Sequence, residues 1–104
     1  MKKPVVLRRK ADEDIDAALD HYLSEAPEVA PALVSAVEAT LASIGNTPAI
    51  GSARYARLLD IPELRFRKTR RFPYLVFYIE GPRVIAILRV LHESRDIPAG
   101  FEPD

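Results

Sequence analysis

The sequence predicts an α+β fold in which a helical hairpin packs on one face of a small, mostly antiparallel sheet. Three observations predict it. Residues 63–92 divide into three strand-like runs separated by turn residues, residues 12–44 repeat a helical spacing of apolar side chains twice, and Val5–Arg8 is a short apolar run suited to a first strand. The resulting order is β-α-α-β-β-β, which segregates the helices to one side of the sheet. A single domain is predicted over residues 1–104.

Acidic residues crowd the predicted start of the first helix, at Asp12, Glu13 and Asp14, where the helix dipole favours negative charge. Ile15, Leu19, Tyr22 and Leu23 follow at the spacing of one apolar stripe. The second helix is predicted from Glu28 or Pro31 to Ile44, and Gly45-Asn46 ends it. Its apolar side contains Leu33, Val34, Val37, Leu41 and Ile44. Two such helices with a short connection form an antiparallel pair.

The predicted strands cover residues 63–69, 72–79 and 84–92, with Glu80-Gly81-Pro82-Arg83 as the second turn. The last two strands are almost continuously apolar, which indicates that both faces of the sheet are covered. The helix pair covers only one of them. The other face is therefore expected to be open in this chain and to be covered by a partner protein. Residues 99–104 are expected to form a tail.

Composition restricts the function classes. The chain has 104 residues, of which 48% are hydrophobic and 29% charged, as in a soluble globular domain. Cysteine is absent, which excludes disulfides, a thiolate nucleophile and a cysteine-based metal site. No uninterrupted apolar run approaches the length of a membrane span, and the apolar run after the first lysines is too short for a signal peptide. A cytoplasmic location is expected.

Charge is unevenly distributed although the net charge is zero. Residues 54–71 contain seven basic and two acidic side chains. One interpretation is a solvated strand edge that resists aggregation. The other is a docking patch for an anionic partner. The basic residues are Arg54, Arg57, Arg65, Arg67, Lys68, Arg70 and Arg71.

Few residues suggest catalysis. His92 closes the third predicted strand and is a residue type that serves as a general acid or base, but a strand-end histidine bonded to a loop is the more common situation. Strand alternation predicts that Arg89 and His92 lie on opposite faces. The sequence has no nucleophile elbow, no phosphate-binding glycine loop and no metal-ligand spacing of its two histidines. No cofactor and no metal are predicted.

The strand order and two segments, Arg70–Tyr78 and Arg89–Pro98, resemble the RelE/ParE superfamily of type II toxin–antitoxin systems, in particular its ParE branch. The resemblance covers nearly the whole chain. It implies a growth-inhibiting bacterial toxin that a cognate ParD-like antitoxin neutralises by lying along its sheet and helices. Target contacts are expected at Arg89, His92 and Arg95. Antitoxin contacts are expected at Arg65, Phe66, Arg67, Tyr74, Val76 and Tyr78.

The branches of the superfamily differ in what they attack. ParE-like members generally poison DNA gyrase, whereas RelE-like members are ribosome-dependent mRNA endoribonucleases, for which His92, Arg71 and Tyr78 would be the catalytic candidates here. Docking onto ribosomal RNA favours a strongly basic protein, whereas this chain is neutral with a pI near 6.7. Its ending, residues 101–104, also lacks the basic residues and aromatic acid/base of many RelE-like members. Gyrase inhibition is therefore preferred, with the nuclease and a fold that retains only antitoxin binding as alternatives.

Overall fold

The predicted α+β fold is confirmed by the computed structural model, which describes residues 2–101. Single 3-10 turns at Pro27–Val29 and Pro48–Ile50 precede and follow the second helix. The elements in chain order are β1 (Val5–Leu7), α1 (Arg9–Glu25), α2 (Ala30–Asn46), β2 (Arg65–Lys68), β3 (Tyr74–Glu80), β4 (Ile85–His92) and α3 (Ile97–Gly100).

The four strands form one mixed sheet in the order β1-β4-β3-β2. β3 pairs antiparallel with both β2 and β4, and β1 pairs parallel with β4, with Val5 opposite Ile85. α1 begins at Arg9, earlier than its acidic cluster suggested, because the chain turns directly from β1 into the helix and Asp12 N donates to Arg8 O. Part of the predicted tail is also ordered: Asp96 caps α3, and its carboxylate accepts from Ala99 N at 3.4 Å.

One face of the sheet is covered by the two long helices. Alanines on the buried side of α1 allow close approach, while α2 contributes larger side chains. Each buried aliphatic side chain of this size stabilises the fold by about 1.5–3 kcal/mol. This helix face contains Ala11, Ala18, Leu33, Val37 and Ile44 from the helices, and Tyr74, Val76, Tyr78, Ile85, Ile87 and Val90 from the strands.

The opposite face is also covered, by the chain itself, so the expectation of an open apolar face is wrong. Segment 53–64 and the residues around α3 lie across it. Proline, glycine and serine punctuate residues 48–62, which is typical of a loop, but the apolar side chains of segment 53–64 cover the sheet. This second face contains Ala56, Leu64, Leu75, Phe77, Leu88, Leu91, Ile97 and Phe101, with Tyr55, Leu59 and Ile61 half-buried around them.

A bulge interrupts the alternation of β4. Phe77 pairs with Arg89 and Tyr78 with Ile87, which leaves Leu88 as an extra residue. Beyond it the two faces exchange parity, so that Val90 joins the helix face and Leu91 the second face. Arg89 and His92 both lie beyond the extra residue, where Arg89 pairs with Phe77 of the second face and His92 with Tyr74 of the helix face.

By length and composition, Pro27–Asn46 is one stretch within residues 2–101 that would be long and apolar enough to cross a membrane. In this structure Leu33, Val37 and Ile44 of that stretch are buried against the sheet. A core helix of a compact domain passes the same test of length and hydropathy.

Candidate functional site

The basic strand β2 borders a groove on the helix side of the molecule. Arg67, Lys68 and Arg70 face the small side chains of α2 across a volume of about 360 Å³. Lys68 is paired with Glu93 at 3.1 Å, whereas Arg67 and Arg70 have no carboxylate partner within residues 2–101. Two cations at this groove are therefore available to an anionic group. The α2 residues that line it are Ala36, Ala39, Thr40 and Ser43.

The other two predicted contact residues on β2 have roles inside this chain. Arg65 is half-buried, and its Nη1 donates to Gly51 O at 2.8 Å. Phe66 is half-buried between Tyr55 and Phe77, with ring centroids 5.6 and 5.5 Å away. Both remain partly accessible, but changing either one alters the packing of segment 48–62 as well as the surface.

Tyr74, Val76 and Tyr78 are 7%, 0% and 0% exposed, because they point at the helices. Their prediction as antitoxin contacts rested on an open apolar face, and that premise is wrong. The Tyr78 hydroxyl donates to Pro48 O and accepts from Gly51 N at 3.1 Å. Burial raises the pKa of Tyr78, and burial followed by the neighbouring Tyr22 raises that of Tyr74. The Tyr78 hydroxyl thus holds the segment that follows α2 in place through two backbone hydrogen bonds.

The turn between β2 and β3 presents two exposed arginines. Thr69 is buried and its hydroxyl donates to Phe72 O at 2.8 Å, which fixes the turn. Arg71 adopts a φ of 70°, a left-handed conformation that costs an ordinary residue free energy. Its guanidinium carbon lies 5.9 Å from the centroid of the Phe72 ring. Arg70 and Arg71 therefore project from a rigid tip.

Arg89, a predicted target-binding residue, is instead a buried structural cation. Its Nε and Nη2 donate to the two carboxylate oxygens of Asp14 at 2.8 and 2.9 Å, and the side chains are 10% and 13% exposed. Val90 N donates to the same carboxylate at 2.9 Å. Asp14 thus satisfies a backbone donor on the part of β4 that extends past β1. The Arg89 guanidinium faces α1, and target contact by this residue stays a prediction.

His92 and Arg95 lie at the surface near the end of β4. Ser94 N donates to His92 Nδ1 at 3.1 Å, and the Ser94 hydroxyl is 2.7 Å from the same nitrogen. Because Nδ1 accepts the amide hydrogen, Nε2 carries the proton in neutral His92. The His92 ring also meets Tyr74 edge-on at 5.3 Å. A shallow pocket of about 190 Å³ beside it includes Asp14, His21 and Arg95.

The three catalytic candidates of the nuclease alternative do not share a site. His92 lies opposite Tyr74 in the β3–β4 pair, whereas the Tyr78 hydroxyl is at Pro48 and Gly51. Four residues of strand, about 13 Å, separate these positions along β3. Arg71 lies at the tip of the preceding turn. Residues 2–101 contain no group of three or more histidine, aspartate or glutamate side chains placed to hold a metal ion.

Comparison with known proteins identifies the kind of protein that has this architecture. It is shared by a solved structure described as the chromosomal ParDE TA system from P. aeruginosa, which matches with a TM-score of 0.73 and 25% identity over 86% of this chain and 95% of that chain. The family model described as ParE toxin of type II toxin-antitoxin system, parDE, matches residues 5–97, and the chain belongs to this family. No curated protein matches the chain. The resemblance noted in the sequence is confirmed.

Proposed function

We propose that this ParE-family toxin inhibits DNA gyrase in the cytoplasm by binding it, and that a cognate ParD-like antitoxin neutralises it. The observation that carries the choice of target is the separation of His92, Tyr78 and Arg71. Cleavage of RNA through the 2′-hydroxyl needs an acid/base pair and a cation around one phosphate. The buried, doubly bonded Tyr78 hydroxyl is not available for proton transfer. The neutral net charge supports the same choice.

The target surface is proposed at the end of β4, where His92 and Arg95 are accessible. Arg89 acts there as a positioning residue, because its pair with Asp14 fixes β4 against α1. The antitoxin surface is proposed along β2 and the groove beside it, with Arg67 and Arg70 as the accessible cations at the groove and half-buried Phe66 as an apolar contact on the other face of β2. Tyr74, Val76 and Tyr78 support this surface from the core.

The target is tested with purified toxin in a gyrase supercoiling reaction and in a translation reaction. The expected result is loss of supercoiling or accumulation of cleaved DNA, with messenger RNA intact. His92→Gln keeps a hydrogen-bonding side chain and is expected to reduce inhibition little. Codon-positioned cuts in translated messages, lost in His92→Gln and Arg71→Ala proteins of unchanged stability, would replace gyrase inhibition with the nuclease. Folded toxin inert in both reactions, yet bound by its antitoxin, would leave the fold that retains only antitoxin binding.

The antitoxin surface is tested by reversing charge at Arg67 and Arg70 together, since Arg65 also holds Gly51. We expect an antitoxin affinity lower by about tenfold, with a smaller difference at high salt. Arg83→Glu, in the exposed turn before β4, is the matched control and should leave affinity unchanged. Equal affinities of all three proteins at every salt concentration would remove the basic groove from the interface.

A further inference from the structure

A small polar pocket lies at the end of β4, between that strand and α1. Asp14 and His21 of α1 line it on one side, and Tyr74, His92 and Arg95 line it on the other. Its volume of about 190 Å³ is below the roughly 300–1,000 Å³ of sites for small molecules and cofactors. The pocket therefore has room for one side chain of another protein rather than for a cofactor.

The nitrogen donors at this pocket are not used by the described part of the chain. Ser94 occupies His92 Nδ1, which leaves the hydrogen on Nε2, and no acceptor among residues 2–101 takes that hydrogen. The Arg95 side chain is exposed, lies beside Gly100 and has no carboxylate partner within the same residues. His21 is also exposed, and no hydrogen bond of the described residues uses its imidazole. Three side chains can therefore donate to an entering acceptor.

Among the described residues that line the pocket, one carboxylate is present, and it is already paired. Asp14 accepts from Nε and Nη2 of Arg89 at 2.8 and 2.9 Å and from Val90 N at 2.9 Å. The acidic residues that follow β4 are also engaged elsewhere, since Glu93 pairs with a lysine of β2 and Asp96 caps α3. An anion entering the pocket would therefore meet unused donors and a cation without facing an unpaired negative charge.

We propose that this pocket binds the carboxylate of an aspartate or glutamate side chain on the target protein. The inference rests on the proposed function, because it assigns a chemistry to the target surface at the end of β4. Hydrogen bonds from a guanidinium and from imidazole N–H groups to a carboxylate are stronger than those between neutral groups. Ala17, Ala18 and Val90 add apolar surface for the methylene groups of the entering side chain.

A phosphate group of DNA is a less suitable occupant of the same pocket. Protein contacts with DNA phosphates depend on several lysines and arginines along the backbone. Here Arg95 is the one guanidinium among the described lining residues, and Arg89 behind it is already paired with Asp14. One cation and two imidazoles fit a single carboxylate better than a row of phosphates.

The first experiment does not involve gyrase. The probe is a glycine–glutamate–glycine tripeptide with both ends blocked, and the matched control has glutamine in place of glutamate. In nuclear magnetic resonance we expect the side-chain nitrogen signals of His92 and Arg95 to shift saturably with the glutamate peptide. The Arg95→Gln protein should bind that peptide at least about tenfold more weakly. Absence of saturable shifts, or equal shifts with the glutamine peptide, would overturn the proposal, and tighter binding of inorganic phosphate would replace the carboxylate with a phosphate.

The second experiment measures the affinity of the toxin for gyrase without DNA. Arg95→Gln and His92→Leu should each weaken binding about tenfold, because the entering carboxylate loses a donor. His92→Gln keeps an N–H and should lose less than His92→Leu. Arg83→Gln, in the exposed turn before β4, is the matched control for loss of an arginine and should bind like the unaltered toxin.

Equal affinities of all these proteins for gyrase, with unchanged stability toward urea, would contradict the proposal. A loss of affinity seen only with DNA-bound gyrase would also contradict it, since the occupant would then be a phosphate. The Arg95 backbone N–H donates to His92 O at 3.1 Å, and substitution of the exposed side chain keeps this bond. Arg95→Gln is therefore decisive even if His92→Leu fails to fold.

The two experiments separate this inference from the choice of target. A toxin that binds the glutamate peptide but neither binds nor inhibits gyrase would refute gyrase as the target and support the pocket as a carboxylate site. A toxin that inhibits gyrase with an affinity insensitive to Arg95→Gln and His92→Leu would support the target and refute the pocket.

Discussion

The two faces of the sheet are covered by different kinds of structure. The helix face lies under two helices of 17 residues each, whose backbones satisfy their own hydrogen bonds. The second face lies under segment 53–64, which consists of turns, and under a helix of four residues. Both covers nevertheless exclude solvent from the sheet, since Val76 on one face and Phe77 on the other are both fully buried.

The difference shows how a sheet of this size is protected on both sides by a short chain. The cover of the second face depends on apolar and aromatic contacts such as Phe77 with Phe101, at a centroid distance of 5.2 Å, and on single backbone bonds such as Ile61 N to Ala56 O. Segments with few cooperative hydrogen bonds open at lower free energy than packed helices. We therefore expect the second cover to open first.

The largest expected effect is at Arg89, which links both covers. Its guanidinium binds Asp14 of α1 and reaches Gly100 O at 3.5 Å. Arg89→Ala leaves the Asp14 carboxylate buried without its cation, and such a change costs about 3–5 kcal/mol. Urea unfolding measures it, with Arg83→Ala as an exposed control expected to change stability by less than about 0.5 kcal/mol. A loss for Arg89→Ala no larger than that of the control would show that the pair does not join the covers.

Gly51→Ala should have the next largest effect, at the place where the chain leaves α2. An added β-carbon would lie 2.2 Å from the Tyr78 hydroxyl oxygen, so either the ring or residues 48–51 must move. Overpacking of this kind costs about 2–3 kcal/mol. In Tyr78→Phe the shortest of these clashes is gone and those with ring carbons at 2.8 and 2.9 Å remain, so the double variant should lose less than the sum of the two single variants. Strict additivity in urea unfolding would contradict the contact.

The Phe101→Ala variant tests the contribution of the second cover alone, because Phe101 packs only in the second-face cluster. Loss of a largely buried aromatic near the end of the chain should cost about 2–3 kcal/mol. Hydrogen exchange should accelerate at Ile61 and Leu64 while the amides of α1 and α2 keep their protection. Uniform acceleration across the molecule would mean that the two covers open together, and the distinction between them would fail.

The smallest effect comes from the buried tyrosines of the helix face. Burial raises the pKa of both Tyr74 and Tyr78 above the ordinary value of 10.0. Below that value both states bind the proton, so stability is unaffected; above it the unfolded state ionises first and stability falls as pH rises toward the folded pKa. The slope is at most about 1.4 kcal/mol per pH unit for each tyrosine. Tyr78→Phe should have a shallower slope, and an equal slope would contradict its contribution.

Periodicity in the sequence predicted most of the helix face, although Leu23 and Val34 of the predicted apolar stripes are 51% and 40% exposed. The spacing of Leu33, Val37 and Ile44 predicted the buried side of α2, and the run from Tyr74 to Ile79 predicted a strand covered on both faces. The second cover was missed because segment 53–64 has no period: its apolar side chains occupy turns, where spacing does not report burial. A strand buried on both faces does not reveal whether a partner or the chain itself supplies the second cover.

The site residues were harder to interpret because their partners are distant in sequence. Asp14 was understood only as part of an acidic helix start, and nothing local connects it to Arg89, which pairs with it across 75 positions. The inserted Leu88 also changes which face the residues of β4 join on either side of it, and no residue type in the run from Ile85 to His92 marks that position. The basic residues Arg67 and Arg70, in contrast, can be read directly from the sequence. They predicted a charged strand edge at the place where the structure has the groove.

The pairing of β1 with β4 has a consequence for the order in which the protein is made. Val5–Leu7 is synthesised before its strand partner Ile85–Ile87, with both long helices and two further strands between them in the chain. Contacts so far apart in the chain form only after the cost of closing a long loop has been met. The apolar sides of the nascent helical hairpin therefore remain uncovered until the three later strands have been synthesised. A message cut short before β4 would yield a chain that lacks the strand with which both β1 and β3 pair.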